Sequence, residues 1–284
     1  MKKAILLLSM IVVVVFAFGY AESVDCPPEP GSFVLVEGGT FSMGDEFGDL
    51  GDDCIPVHTV VLEYDFWIGR YLVTFDEYDL FCDVTGRGKA RDWGWGRETR
   101  PVIMVTWWDA IEYCNWLSDK EGYPRAYDDE GNFLDAYGEL TVDPSEVMGY
   151  RLSTEAEWEY AARGGQHHST YKYSGSDTVT DVAWWRRGAS MQTHPVGLKQ
   201  PNALGIYDMS GNVWEWCSDW YAPYTDVTKT NPYNATPDGN RVVRGGGYYS
   251  TQLEVRIAHR SSREPAPSFW DFDEVGIRVV RTVH

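Results

Sequence analysis

The residues with the most reactive chemistry are five thiols, at Cys26, Cys54, Cys82, Cys114 and Cys217 of a 284-residue chain. No two stand as a Cys-x-x-Cys pair, so a zinc site is not indicated. The odd count leaves at least one thiol over, and the sequence leaves the pairing of the rest open. The six histidines are His58, His167, His168, His194, His259 and His284. Two of them are adjacent, and neighbouring side chains rarely converge on one ion, so they read as loop histidines. Asp45 to Asp53 is an acidic, glycine-rich run that suits a bound cation or a merely solvated loop. Trp214, Trp216 and Trp220 recur closely enough to stack sugars or to fill a core, and core packing is the expectation.

A fold must hold these groups. Hydrophobic residues make up 43%, enough for a sizeable core, and aromatics reach 15%. That points away from a helical bundle and toward a loop-rich fold with flat rings buried between short elements. Met1-Lys2-Lys3, an apolar run from Ala4 to Phe18 and small residues at Gly19 and Ala21 read as an export signal, 1–21. An uncleaved anchoring helix and lipid attachment at Cys26 are the alternatives. Losing Lys2 and Lys3 takes the net charge from −19 to −21. Such a surface repels phosphate backbones, so no nucleic-acid partner is expected.

After a proline-bearing linker, 22–30, alternation from Phe33 through Gly38-Gly39 to Gly44 predicts a hairpin, and His58 to Ile68 returns to strand character. Three helices carry their own start signals. Thr74-x-x-Glu77 and Thr154-x-x-Glu157 are capping boxes, and Thr106 precedes Asp109 in the same spacing. Leu80, Phe81 and Val84 are the expected buried stripe of the first helix, and Ile111, Cys114 and Leu117 that of the second. Gly86, Gly122 and Gly164 are the expected stops.

Several ordered motifs carry a resemblance: Gly38-Gly-Thr-Phe-Ser-Met-Gly44, Arg100-Pro-Val-Ile-Met-Val-Thr-Trp107, Arg151-Leu-Ser-Thr-Glu-Ala-Glu-Trp-Glu-Tyr160, Gly205-Ile-Tyr-Asp-Met-Ser-Gly-Asn-Val-Trp-Glu-Trp216, Arg244-Gly-Gly246 and Gly276-Ile-Arg-Val-Val280. The chain resembles the formylglycine-generating-enzyme, or sulfatase-modifying-factor, family. The resemblance implies an irregular α+β fold of the C-type-lectin type, with few short strands and about three helices, over 31–284. The family's enzymes oxidise a substrate cysteine, using two cysteines shortly after Arg-Gly-Gly to hold copper. Here Ser250 stands in the first place, and Leu253, Glu254 and Val255 cover the second. The activity is therefore not carried over, and no catalytic residue is assigned. A histidine-iron branch of the family is not matched either.

The pattern is most similar to the variable proteins of diversity-generating retroelements. Their frame is met by Arg241-Val-Val-Arg-Gly-Gly246, Arg256-Ile-Ala-His-Arg260, Pro265 and Gly276-Ile-Arg-Val-Val280. The resemblance implies a variable region of about 241–284. Its recognition surface would comprise Tyr249, Ser250, Thr251, Leu253, Glu254, His259, Ser261, Ser262, Arg263, Glu264, Ser268, Phe269, Trp270, Asp271, Phe272 and Asp273. For Phe269, Trp270 and Phe272, core packing stands beside display. The resemblance also implies a structural Ca²⁺ held by the carboxylates of Asp208 and Glu215 with the carbonyls of Gly211 and Val213.

The expected protein is a non-catalytic binder without a catalytic cofactor, at the cell surface, the outer membrane or in the periplasm. Its ligand would be a protein or glycan at the cell exterior. An unvaried envelope protein of the same fold is the alternative, and a formylglycine-generating oxidoreductase a more distant one.

Overall fold

The computed structural model describes residues 32–167, 169–266 and 274–284. The export signal 1–21, the linker 22–30 with Cys26, His168 and Ser268 to Asp273 lie outside the described residues.

The fold is mixed α and β, with short elements. Strands β1 (Phe33–Val36), β2 (Gly39–Met43), β3 (His58–Leu62) and β4 (Phe66–Gly69) come first. Helices α1 (Phe75–Thr85) and α2 (Trp107–Glu121) follow. Then come β5 (Arg151–Leu152), α3 (Glu155–Arg163) and the short α4 (Val179–Val182). The remainder holds β6 (Trp214–Trp220), β7 (Lys229–Thr230), β8 (Arg241–Arg244), β9 (Arg260–Arg263), β10 (Val275–Gly276) and β11 (Val279–Thr282). Three sheets result, ordered β1-β4-β11-β5, β10-β6-β8-β9 and β2-β3-β7.

The expected hairpin over Phe33–Gly44 is not formed. β1 pairs with β4, and β2 pairs with β3, all antiparallel. Gly38 and Gly39 carry the chain from one sheet to another. A Cβ at Gly38 would lie 2.6 Å from the Leu62 carbonyl oxygen and 2.8 Å from that of Tyr64. The glycine therefore reports a close backbone crossing rather than a turn.

The helix boundaries follow their caps. Thr74, Thr106 and Thr154 each accept from the backbone three residues on, and Glu77, Asp109 and Glu157 reach back in turn. Gly86, Gly122 and Gly164 close the helices in the left-handed region. The buried face of α1 differs from the expected stripe. Phe75, Tyr78, Phe81 and Cys82 are buried, whereas Leu80 and Val84 are exposed. Tyr78 and Phe81 pack against Tyr113 of α2 at 5.8 and 5.6 Å. Rings thus occupy the seam that aliphatic side chains would otherwise fill. Cys54, Cys82, Cys114 and Cys217 are all buried free thiols.

Candidate ligand-recognition surface

Helix α3 anchors the surface. All nine of its residues are buried, including Glu155, Glu157 and Glu159. Buried carboxylates need partners, and arginines supply them. Arg244 donates to Glu155 Oε1 and to Glu159 Oε2, both at 2.6 Å, and to the Ile257 carbonyl at 2.7 Å. Arg260 takes Glu155 through Nε and Nη2 at 2.6 and 2.7 Å, and its guanidinium lies 3.7 Å from the Tyr224 ring centroid. Burial alone would raise the Glu155 carboxyl, but the Arg260 and Arg244 charges outweigh it and hold it at about 2.

Arg244 and Arg260 are register partners on β8 and β9. Both ends of the intervening segment, 245–259, are therefore fastened to one carboxylate. Gly245 and Gly246 start that segment with φ of 91° and 73°. A Cβ at Gly246 would sit 2.8 Å from the Glu254 carbonyl oxygen, so the Arg-Gly-Gly motif is a buried charge followed by a tight reversal. Val255, Arg256, Ile257 and Ala258 are the buried part of the segment's second half.

What remains faces out. Tyr249 and Leu253 are 44% and 52% exposed, and Thr251 and Gln252 are exposed with them. Glu254 is half-buried and closes a turn by accepting from the Thr251 N–H at 2.6 Å. Ser261, Ser262 and Arg263 are half-buried on the edge strand β9, and Glu264 is exposed. His259 is half-buried, 5.8 Å from the Trp214 ring. Burial and then the Arg244 charge lower its pKa, which keeps the ring neutral near pH 7.

Ser250 departs from the expected surface. It is only 3% exposed, its Oγ accepts from the Gly247 N–H at 3.0 Å, and its carbonyl accepts from the Arg186 N–H at 3.1 Å. A turn residue that small and that well bonded is scaffold. Neighbouring loops add groups that sequence reasoning missed. The Arg186 guanidinium lies 4.9 Å from the Tyr249 ring, and Trp95 packs edge-on to Tyr248 at 5.2 Å. The acidic loop reaches the segment through an ion pair between Asp49 and Arg256. The acidic, glycine-rich run from Asp45 to Asp53 was the signal the sequence offered for that loop.

The expected calcium ligands do not form a fitting donor set. Glu215 accepts Arg278 through both oxygens, at 2.8 and 2.9 Å, and the Trp158 indole at 2.8 Å. Asp208 accepts from the Gly197 N–H at 2.8 Å and from the Asn212 amide at 3.4 Å. The Gly211 carbonyl accepts from the Val213 N–H. A guanidinium already stands where the second carboxylate would meet a cation, which corrects the expectation for Glu215. Burial drives the Asp208 carboxyl up to about 6.

The sequence model of the sulfatase-modifying factor enzyme 1-like domain matches residues 21–283. The chain belongs to this family. It is 37% identical to the chaperone protein LppX of Paenibacillus barcinonensis, over 88% of this chain and 89% of that protein. It is 32% identical to the formylglycine-generating enzyme of Streptomyces coelicolor, over 83% and 85%. Among solved structures, Treponema denticola variable protein 1 superposes with a TM-score of 0.72 at 28% identity, covering 92% of this chain and 99% of that one. PvdO from Pseudomonas aeruginosa reaches 0.67 at 27% identity, over 92% and 96%. The family thus includes formylglycine-generating enzymes and a variable protein, and its α+β architecture is the one seen here.

Proposed function

We propose that the protein is a non-catalytic ligand-binding member of the family. Its C-terminal segment displays a diversified recognition surface to a protein or glycan outside the cell. The observation that carries this reading is the chemistry of the segment after Arg244-Gly-Gly246. No cysteine follows Cys217 in the sequence. Oxygen chemistry on a thiol substrate of the formylglycine type needs a soft, redox-capable sulfur pair. A seryl Oγ engaged by a backbone N–H and the aliphatic Leu253 and Val255 do not supply one. Cys217 itself is fully buried, and burial raises its pKa well above the ordinary thiol value.

The second support is the division of labour. Five arginines of the segment, Arg241, Arg244, Arg256, Arg260 and Arg278, are at most 2% exposed. Tyr249, Thr251, Gln252 and Leu253 stand outside that frame and can change at little cost, within about ±0.5 kcal/mol each for surface positions. Export belongs to the proposal and rests on the charged start, apolar run and small-residue exit of 1–21. A cell-surface, outer-membrane or periplasmic place follows from it.

The test has two parts. The DNA downstream should hold a near-copy of the last coding segment, differing at adenines, and a reverse transcriptase gene. Their absence would leave an unvaried envelope protein of the same fold. Incubation with copper, oxygen and a cysteine-bearing sulfatase peptide should yield no formylglycine by mass spectrometry, and turnover would overturn the non-catalytic reading.

A further inference from the structure

Just beyond α4 the chain places four hydrogen-bond donors in a row, Trp184-Trp185-Arg186-Arg187. The indole N–H groups of Trp184 and Trp185 are buried without an acceptor, and Trp185 is only 7% exposed. Arg186 and Arg187 are exposed, and neither pairs with a carboxylate among the described residues. Carboxylates are not scarce: the chain holds 43 aspartates and glutamates against 24 lysines and arginines. The exposed Arg87 and Arg125 are met by Asp109 at 3.4 Å and by Asp119 at 2.7 Å. The turn at 184–187 thus offers donors and receives no acceptor, a deficit that an incoming ligand can fill.

The turn is fastened to the C-terminal segment. The Arg186 N–H donates to the Ser250 carbonyl at 3.1 Å, and the Asn212 N–H donates to the Trp184 carbonyl at 2.8 Å. Gly188 and Ala189 both donate to the Trp185 carbonyl at 2.8 Å. Trp185 shares a small buried cluster with Val255. The Arg186 guanidinium lies 4.9 Å from the ring centroid of Tyr249, which is 44% exposed, and that of Arg187 lies 5.9 Å from the Trp185 ring. A ring stabilises the charge but provides no lone pair, so the in-plane donors of both arginines stay open to a ligand. A side chain already held in place loses little freedom on binding.

We propose that Arg186 and Arg187, beside Tyr249, form the anion subsite of the recognition surface, for an aspartate or glutamate carboxylate of a protein ligand. The proposal rests on the recognition-surface reading and adds the ligand's chemistry. The planar fork of a guanidinium matches a carboxylate through two parallel hydrogen bonds. Two neighbouring guanidinium charges repel each other, and a bound carboxylate relieves that. The net charge of −19 selects the kind of anion. Repulsion by the whole chain grows with the ligand's charge, so polyanions rich in phosphate or sulfate are turned away. A single carboxylate instead meets the local cations within a Debye length of about 8 Å. The protein source follows from Leu253, 52% exposed on the same segment. It offers an apolar neighbour of the carboxylate a contact and a sugar hydroxyl none.

The experiment titrates the full chain with acetyl-Gly-Glu-Leu-Gly-amide at about 0.15 M salt. Binding is read by NMR from the arginine Nε–Hε resonances, assigned through Arg186→Lys and Arg187→Lys. The resonances of Arg186 and Arg187 should move saturably, and acetyl-Gly-Gln-Leu-Gly-amide should leave them in place. Arg186→Gln should weaken binding about fivefold, the upper range for a solvent-exposed ion pair, and Arg186→Lys should weaken it less. Both positions are exposed, so the variants should melt with the wild type. Unmoved arginine resonances, an equal response to the glutamine peptide, or wild-type affinity in Arg186→Gln would each overturn the proposal. Equal or tighter binding of sialyllactose would make a glycan the occupant and overturn it too, as would equal binding of inorganic sulfate, which would leave a site for any small anion. Saturable shifts of the Thr251 and Leu253 amides with both arginines silent would sink the subsite and leave the recognition surface standing. Formylglycine formation in the copper assay would instead sink the surface reading itself.

Discussion

Arg260 on the edge strand β9 grips both oxygens of Glu155 at the start of α3, at 2.6 and 2.7 Å, with both side chains buried. The same carboxylate takes Arg244. Removing it takes the carboxylate from buried Arg260 and leaves Arg244 with Glu159 alone, and breaking a buried pair costs about 3–5 kcal/mol. Glu155→Gln should therefore lower the melting temperature by at least ten degrees or prevent folding. A fall of only one or two degrees by calorimetry would show that α3 does not hold the segment.

Ser250 offers a sharper contrast with its neighbours. Its Oγ satisfies the Gly247 N–H, so Ser250→Ala should cost about 1 kcal/mol. Ser250→Tyr must also force a ring into a closed turn, a further cost of about 1–3 kcal/mol. Thr251→Tyr, one residue on and exposed, should cost less than about 0.5 kcal/mol. Urea unfolding of the three variants tests the order, and a Ser250→Tyr as stable as Thr251→Tyr would contradict the buried assignment.

Stability should fall as pH rises from about 4 to about 7. Burial raises Asp208 to about 6, and burial with the Glu155 charge raises Asp219 to about 7. A carboxyl raised above its unfolded value of about 3.9 binds its proton more tightly in the native state. The stability it confers is present at low pH and is lost as pH rises through the native value. Glu155 acts oppositely: held at about 2, its contribution is present above about 4.3 and lost only on strong acidification. The melting temperature should peak near about pH 4 and decline toward about pH 7. Asp208→Asn and Asp219→Asn should flatten that decline, and a melting temperature that rises from about pH 4 to about pH 7 would contradict it.

Leu80 and Val84 supply another check. Both are exposed on α1, so Leu80→Lys and Val84→Lys should leave stability within about 0.5 kcal/mol. Phe81→Ala should cost about 3–5 kcal/mol. Circular dichroism melts of the three variants decide it.

These cases mark what the sequence could disclose. Caps were legible because Thr74, Thr106 and Thr154 act on residues three places away. The family motifs disclosed the fold class and the missing thiols, the first at Ser250 and the second within Leu253, Glu254 and Val255. Gly38-Gly39 was misread because a close crossing and a turn need the same residue, and only the partner strand tells them apart. The stripe on α1 was misread because hydropathy favours Leu80, while the ring seam with Tyr113 is tertiary. Ser250 looked like a displayed hydroxyl because nothing local reveals the Gly247 and Arg186 contacts. Glu215 matched a ligand pattern, but its partner Arg278 is 63 residues away. Asp49 lay in an acidic run whose bond to Arg256 spans 207 residues.

The central claim is that exposed positions of the C-terminal segment are interchangeable while the frame beneath them is not. Two libraries test it most directly, one randomised at Tyr249, Thr251, Gln252 and Leu253, the other at Arg256, Ile257 and Arg260, each scored for folded members by protease resistance. Most of the first library should resist protease like the parent chain, and almost none of the second should. Equal loss of folded members from both would contradict the account.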